Sequence, residues 1–368
     1  MPSSPIKIAI LGCRGIPNRY GGFEQFADHM GPALVERGFD VTVYNASTHP
    51  YRASEYKGVR LLRKEDPEEI LGAWSQVWYD LLCIVDLWKR DFDVVYQLGY
   101  TTSGLWQWLI PGRMKVVSNM DGMEWQRAKY KGLLKSFLKY SEKRVVRRSD
   151  YLIADAEPIK VYYDGAYTKP CEYLAYAAEL FTQPEEKSLQ PLQLQPWSFF
   201  LVIARMQEDN HIEMIIKGYL DSGSSHPLVI IGSTDNGYGS HLRAQYNQPS
   251  IHWLGGVFDL ELLNNLRHFA ALYFHGHSAG GTNPSLLEAM AASARICAHD
   301  NVFNRSVCLE GARYFANEKE LSKLITQEGD PAAWIERVDS CRHRIDSHYH
   351  PDILADRYAA FFHTIITK

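Results

Sequence analysis

The sequence predicts an α/β chain built from two Rossmann-like, doubly wound domains with parallel sheets. Three observations lead there. Short apolar runs alternate with segments of helical period from residue 6 onward. The alternation stops in a polar, Pro/Gln-rich stretch, Thr182 to Pro196, and then starts again. In both halves a glycine-bearing loop joins a strand to a helix. A chain of 368 residues is long enough for two domains of ~100–200 residues.

Ile6 to Leu11 is apolar and ends in Gly12, as a buried parallel strand does. The loop Gly12 to Gly22 follows. Phe23, Phe26, Ala27, Met30 and Leu34 then recur at helical spacing to Arg37, and Gly38 stops them. Asp40 to Tyr44 is the next strand and Val59 to Leu62 a short one. Ile70 to Arg90 reads as one long helix rich in Trp and Leu. Asp93 to Gln97, Lys115 to Ser118, Tyr151 to Ala154 and Cys171 to Leu174 read as strands, with a helix over Lys129 to Arg148. The expected domains are residues 1–185 and 195–349. The second half gives strands at Phe199 to Ile203, Pro227 to Gly232, Ile251 to Leu254, Ala271 to Phe274 and Arg295 to Ala298. Helices are expected at His211 to Leu220, Asp259 to Phe269 and Pro284 to Ala292. A last helix over 350–368 is expected to pack back on the first domain. Ligands of such sheets bind at the carboxyl ends of strands, here in a cleft between the halves.

The bulk numbers exclude several classes. A formal net charge of −4 gives no electrostatic footprint for nucleic acid. Cys13, Cys83, Cys171, Cys297, Cys308 and Cys341 lie far apart with no C-x-x-C pair, so reduced thiols are expected, and neither a zinc site nor a disulfide framework. The N-terminal Met-Pro-Ser-Ser-Pro has no apolar core of a signal peptide. No run reaches the ~18 apolar residues of a membrane span. A cytoplasmic protein is expected, peripheral on the inner membrane face at most.

The densest chemistry lies between His275 and Glu288. This segment follows a strand and opens a helix. Gly280 and Gly281, with Thr282, let a backbone approach a ligand closely. Free N–H groups around Asn283, Pro284 and Ser285 at a helix start favour a phosphate, and Pro284 suits the first turn. Glu288, one turn further, can reach a ribose hydroxyl. The plainer alternative is a Gly-rich turn with a solvated Glu. In the first half, Gly12 to Glu24 is not G-x-G-x-x-G, which disfavours a dinucleotide site. Asp121 and Glu124 follow a strand, where carboxylates orient or deprotonate a hydroxyl. Asp121 as a plain helix cap is the alternative.

Asn283 to Ala291 resembles the second half of the signature E-G-F-G-x-P-x-x-E-A-M-A of family-four glycosyltransferases, which have the GT-B fold. The first Glu of that signature, a donor-sugar contact in the family, falls on Gly280; His275 or His277 is the candidate substitute. Phe199 to Arg205 resembles the strand ending in the Arg that grips donor phosphates, a task suited to guanidinium. The family's Lys five residues on is Asn210. Ile230 to Ser233, with Gly232, resembles the glycine turn near the nucleotide. Trp253 to Val257 resembles the segment whose backbone reads the base. Gly21-Gly22 and Asp121 to Lys129 resemble the bacterial rhamnosyltransferase subgroup.

The resemblance implies a retaining hexosyltransferase of bacterial surface-glycan synthesis. Its donor is expected to be dTDP-L-rhamnose, with a UDP-sugar as the alternative. Its acceptor is a hydroxyl of a polysaccharide or lipid-linked oligosaccharide, met by Tyr20, Asp121 and Arg127. No cofactor besides the nucleotide sugar is implied, and no metal. The changes at Gly280 and Asn210 keep open a sugar-nucleotide-binding protein without turnover. Finally, residues 127–148 carry many Lys and Arg with one acid, Glu142, interleaved with Leu133, Leu134, Phe137 and Leu138. Such a segment suits an anionic membrane surface, or is a solvated basic face.

Overall fold

The computed structural model describes residues 4–19, 21–126, 130, 132–327 and 332–367. Tyr20 and Arg127, both expected at the acceptor, lie outside the described residues, as do Lys129 and Lys131. The chain divides into two units, Met1–Tyr176 with Pro351–Lys368, and Ala177–His350.

In the first unit the apolar runs become β1 (Lys7–Leu11), β2 (Asp40–Ala46), β3 (Glu55–Tyr56), β4 (Val59–Lys64), β5 (Val94–Leu98), β6 (Lys115–Asn119), β7 (Tyr151–Ala154) and β8 (Cys171–Tyr173). They form one sheet in the order β3-β4-β2-β1-β5-β6-β7-β8. Among the described residues only β3 is antiparallel, against β4. β1 is central: Ile8 pairs with Val41 on one side and Val94 on the other. Strands covered on both faces need no alternation, and β5 is buried at every position.

The helices of this unit are α1 (Gly22–Glu36), α2 (Glu68–Leu71), α3 (Ser75–Asp86), α4 (Gly132–Arg148) and α5 (Glu157–Ala166). The single helix expected over Ile70 to Arg90 is therefore broken. Gly72 takes φ +52, which ends α2 and lets the chain turn into α3. Tyr79, Cys83, Ile84 and Leu87 then pack on Leu11, Tyr44, Val95 and Val116. The Tyr79 hydroxyl donates to the carbonyls of Tyr44 (2.8 Å) and Cys13 (3.2 Å), satisfying its polar atom inside that core.

The first helical element of the second unit is Glu186–Leu192, a 3₁₀ stretch inside the segment expected as a linker. Its Leu189 is buried, and Glu185 N–H donates to Asn265 Oδ1 at 2.6 Å. The strands are β9 (Phe200–Ile203), β10 (Leu228–Ile231), β11 (Ile251–Gly255), β12 (Leu272–His275), β13 (Ile296–His299) and β14 (Arg313–Phe315), in the order β11-β10-β9-β12-β13-β14. All pairings are parallel. The helices are α6 (Ile212–Ser222), α7 (Gly237–Gln245), α8 (Leu260–Phe269), α9 (Pro284–Ala291), α10 (Val302–Cys308), α11 (Glu318–Thr326) and α12 (Ala332–Arg344). Phe200, Val202, Ile230 and Phe274 form the core with Ile212, Ile215 and Ile216 of α6.

α13 (Pro351–Thr367) returns to the first unit. The Tyr358 and Tyr96 hydroxyls meet at 3.3 Å, and Phe362 packs edge-on to Phe39. Arg37, the C-cap of α1, pairs with Asp356 at 2.7 Å. Among the described residues no helix is long and apolar enough to cross a membrane.

Candidate functional site

β9 and β12 are neighbours, and the chain leaves them towards opposite edges of the sheet. This is the switch point at which open α/β sheets hold ligands, beyond the carboxyl ends of the strands. The loops leaving it are 204–211 after β9 and 276–283 after β12. They are laced together. Ser278 donates to Asp209 O through its N–H (2.9 Å) and its hydroxyl (3.0 Å). His211 Nδ1 meets Gly276 O at 2.8 Å. Asn210 Oδ1 meets His277 Nδ1 at 2.6 Å, and Asn210 Nδ2 donates to Arg205 O at 2.7 Å.

These contacts place Asn210. It is buried, and its amide spans both loops. A lysine there would have to carry its charge elsewhere, so in this chain the position serves as a tie. Arg205 is exposed, and its guanidinium makes no hydrogen bond or ion pair among the described residues. It is thus available for an anion. His275 is buried with its Nε2 unpartnered among the described residues. Burial, then the neighbouring His277, Arg267 and His299, hold its pKa well below the ordinary histidine value, so the ring is neutral. His299 stacks on His211 at 4.2 Å, and its pKa is pushed down to about 4, by burial first and by His211 second.

Gly280 takes φ +103, a conformation that glycine adopts freely and a glutamate would not. This accounts for the departure at the position of the family's first Glu. Gly281 and Thr282 are buried just before the helix. Asn283 is the N-cap of α9: its Oδ1 accepts from Ser285 N–H at 2.9 Å. The expectation of free N–H groups around Asn283, Pro284 and Ser285 is narrowed at two of these positions. Pro284 has no N–H, and Ser285 N–H is taken by the cap.

Glu288, expected to reach a ribose hydroxyl or else to be a solvated Glu, has a protein partner. It forms an ion pair with Arg267 of α8. Arg267 is 1% exposed and also donates to Asn264 Oδ1 (2.9 Å) and Ser285 Oγ (3.3 Å). The Ser285 hydroxyl meets Tyr273 OH at 3.1 Å. Sequence reasoning missed Arg267. Its signal was spacing: it lies four residues after Leu263 and next to Leu266, on the inward side of α8.

At the ends of the neighbouring strands, Gly232 N–H donates to Gly255 O at 2.8 Å, joining the turns after β10 and β11. Val257, expected beside the base, is half-buried after β11.

In the first unit the loop after β1 is clamped. Asn45 holds Ile16 by both its N–H (3.2 Å) and its carbonyl (2.8 Å). Arg14 N–H donates to Glu24 Oε1 at 2.7 Å, and the Arg14 side chain reaches Gln76 and Ser75, with an ion pair to Glu68. Gly21 and Gly22 are exposed where this loop enters α1.

Beyond β6, Asp121 Oδ1 accepts from Tyr176 OH at 3.0 Å. Burial, then Asp121, push the Tyr176 pKa well up, so the phenol stays a donor. The Tyr100 hydroxyl donates to Gly122 O (2.9 Å) and accepts from Glu124 N–H (2.9 Å). Trp125 Nε1 donates to Glu142 Oε2 at 2.9 Å, and Tyr162 and Tyr167 donate to Oε1 at 2.9 and 2.7 Å. Glu142 therefore fixes the Asp121–Gln126 segment from inside; the charge count alone had read it as the one acid of a basic helix. Among the described residues no group of three His, Cys, Asp or Glu side chains is placed to hold a metal ion.

The family described as a domain of unknown function (DUF1972) matches residues 6–179. No curated protein sequence matches the chain. Among solved structures, the fold is similar to a sucrose-phosphate synthase from Thermosynechococcus elongatus, with TM-score 0.81, 14% identity, and 98% of this chain and 99% of that one covered. It is similar to HepE from Anabaena in complex with UDP and glucose, with TM-score 0.78, 13% identity, and 98% and 100% covered. It is also similar to an E. coli protein described as trehalose-6-phosphate bound with UDP-2-fluoro glucose, with TM-score 0.72, 11% identity, and 96% and 98% covered. At these identities the likeness establishes the fold, which is GT-B.

Proposed function

We propose that the protein is a glycosyltransferase that takes a nucleotide-sugar donor at the carboxyl end of the second unit's sheet. The observation that carries this is the laced pair of loops at the β9/β12 switch point, with an exposed Arg205 on the first and the run into α9 on the second. Arg205 and the positive end of α9 stabilise the leaving diphosphate as negative charge develops on it. Glu288, held by Arg267, binds the ribose. His277, oriented by Asn210, takes over the sugar contact that Gly280 cannot make. In the first unit, Asp121 and Glu124 orient the acceptor hydroxyl, with Gly21 and Gly22 lending backbone at the loop end. The donor phosphate takes the acceptor proton, and the sugar keeps its anomeric configuration.

Resemblance of Gly21-Gly22 and the segment from Asp121 to the rhamnosyltransferase subgroup supports dTDP-L-rhamnose as donor. The complexes of HepE with UDP and glucose and with UDP-glucose support a second reading, a UDP-sugar donor. The acceptor is a growing surface polysaccharide or its lipid-linked precursor, and the basic face of α4 suits an anionic membrane surface.

The test is thermal stabilisation by dTDP-, UDP- and GDP-sugars, followed by release of nucleoside diphosphate in the presence of acceptor. A ligand that binds only the folded chain raises the melting temperature. Arg205→Ala should cut turnover more than about tenfold with the fold intact. Unchanged kinetics would remove Arg205 from the donor site. Binding without any turnover would leave a sugar-nucleotide-binding protein in place of an enzyme.

A further inference from the structure

One face of the first unit's sheet is covered by α3, the turns at 103–109 and α4. The inner side of α3 fills the core through Tyr79, Cys83, Ile84 and Leu87. Its outer side is apolar as well. Trp74, Trp78, Val85 and Trp88 follow one another at 4, 7 and 3 residues, so they form one stripe along α3 and its flanking turns. All four are exposed, Trp74 by 71% and Trp88 by 60%. A helix with apolar side chains on both its inner and outer sides normally has a partner on both. Here the outer side is left exposed by the described residues of the unit.

The stripe runs on. Trp88 Nε1 donates to Leu109 O at 2.8 Å, which brings it to the turn carrying the exposed Trp108. Arg148 of α4 reaches Trp108 O at 3.4 Å. On α4, Leu133 is 90% exposed, and Lys135, Lys139, Lys143, Arg147 and Arg148 are exposed, the ammonium groups of Lys135 and Lys139 lying over the Trp125 ring at 5.6 and 4.1 Å. The acids of these two helices do not. Glu142 is 1% exposed and faces the tyrosines. Asp80 is buried, and Asp86 is buried and paired with Lys64 (2.8 Å) and Arg90 (3.0 Å). The outward charge of α3 and α4 is therefore wholly positive.

We infer that this face docks on an anionic lipid bilayer, with the tryptophans of the stripe at headgroup depth and the α4 cations over the lipid phosphates. Indoles, apolar with one N–H, collect at that depth. A row of cations beside them, with no outward acid on either helix, complements a plane of anionic headgroups. The inference deepens the reading of a lipid-linked acceptor and rests on it for its functional meaning, while the docking itself is measurable without any donor.

The experiment uses the full chain and vesicles of phosphatidylcholine, alone or with about one-third phosphatidylglycerol. Co-sedimentation gives the partition, and quenching of tryptophan fluorescence by brominated lipid gives the depth. Neither the Trp74 nor the Trp78 indole makes a hydrogen bond among the described residues, so Trp74→Ser/Trp78→Ser spares the fold. The chain should bind the anionic vesicles with quenching and release at high salt. The Trp pair and, separately, Lys143→Glu/Arg147→Glu should each lower the partition roughly tenfold or more. Stabilisation by the nucleotide sugar should be unchanged in both. No binding of the unaltered chain, or equal binding by the Trp pair, overturns the inference, as does a dimer in solution that the Trp pair abolishes without any vesicle binding. Vesicle binding with no nucleotide-sugar response upholds the docking and removes the transferase reading instead.

Discussion

Replacing Arg267 with Met separates what holds the donor site from what binds the donor. Arg267 is 1% exposed and its partner Glu288 19%. Removing one member of a buried pair leaves the other uncompensated, at about 3–5 kcal/mol. The partial exposure of Glu288 puts this change near the lower end, and the lost bond to Asn264 adds about 1 kcal/mol, for a total of ~3–4 kcal/mol. Glu288→Leu leaves the buried Arg267 charge without its counterion, at a similar ~3–4 kcal/mol. Replacing both puts an apolar pair of comparable size in their place, so the double variant should lose less than ~2 kcal/mol instead of the ~7 of simple addition. The assay is urea unfolding read by hydrogen exchange of α8 and α9 peptides, so that only the second unit is followed. Donor affinity should fall in all three variants: Arg267→Met leaves the carboxylate unanchored, and in the double stability returns but the carboxylate does not. A double variant whose loss equals the sum of the singles to within about 0.5 kcal/mol would refute the pairing. A double variant with full donor affinity would refute the role of Glu288.

Other predictions follow the same logic. Asn210→Lys, which restores the family's residue type, should weaken donor binding, since it breaks the tie between Arg205 O and His277; tighter binding measured by calorimetry would contradict this. Glu142→Gln keeps the shape but not the charge, and should cost about 1–2 kcal/mol and speed hydrogen exchange over 121–126; unchanged exchange there would mean that the segment is held by other contacts. Burial pushes the Asp80 carboxyl up from 3.8 to about 6, against the hydrogen bonds from Thr102 (2.5 Å) and Gln76 (2.9 Å). The folded state thus binds the proton more tightly than the unfolded one, and this group's contribution falls as pH rises from about 4 through about 6. Asp80→Asn should gain stability relative to the unaltered chain above pH 6 and not near pH 4; a difference independent of pH would refute the shift.

Much of the fold was legible because buried parallel strands announce themselves. Lys7–Leu11, Leu228–Ile231 and Leu272–His275 are near-continuous apolar runs bounded by glycine or a charge. The helix break at Gly72 was not, since the Trp-rich flanks kept the helical period across it, and that period belonged to the outward stripe as much as to the core. At the site, the segment from Gly280 to Glu288 could be read because its chemistry is local. The ties were not local. Asn210–His277, Arg267–Glu288 and Glu142–Trp125 join residues 67, 21 and 17 positions apart, and their partners are known only once strands stand side by side. A departure such as Asn210 looks like a lost function in the sequence, and acquires a role only when its two acceptor and donor atoms are seen bridging two loops.

The central claim is that a nucleotide sugar is held by the loops after β9 and β12. Hydrogen exchange of the full chain with and without the nucleotide sugar that stabilises it most tests this directly. The account predicts slowed exchange in peptides covering 204–211 and 276–288, lost in Arg205→Ala, with the outer strand β14 unaffected. Protection confined to other segments, or protection of these loops that survives Arg205→Ala unchanged, would contradict it.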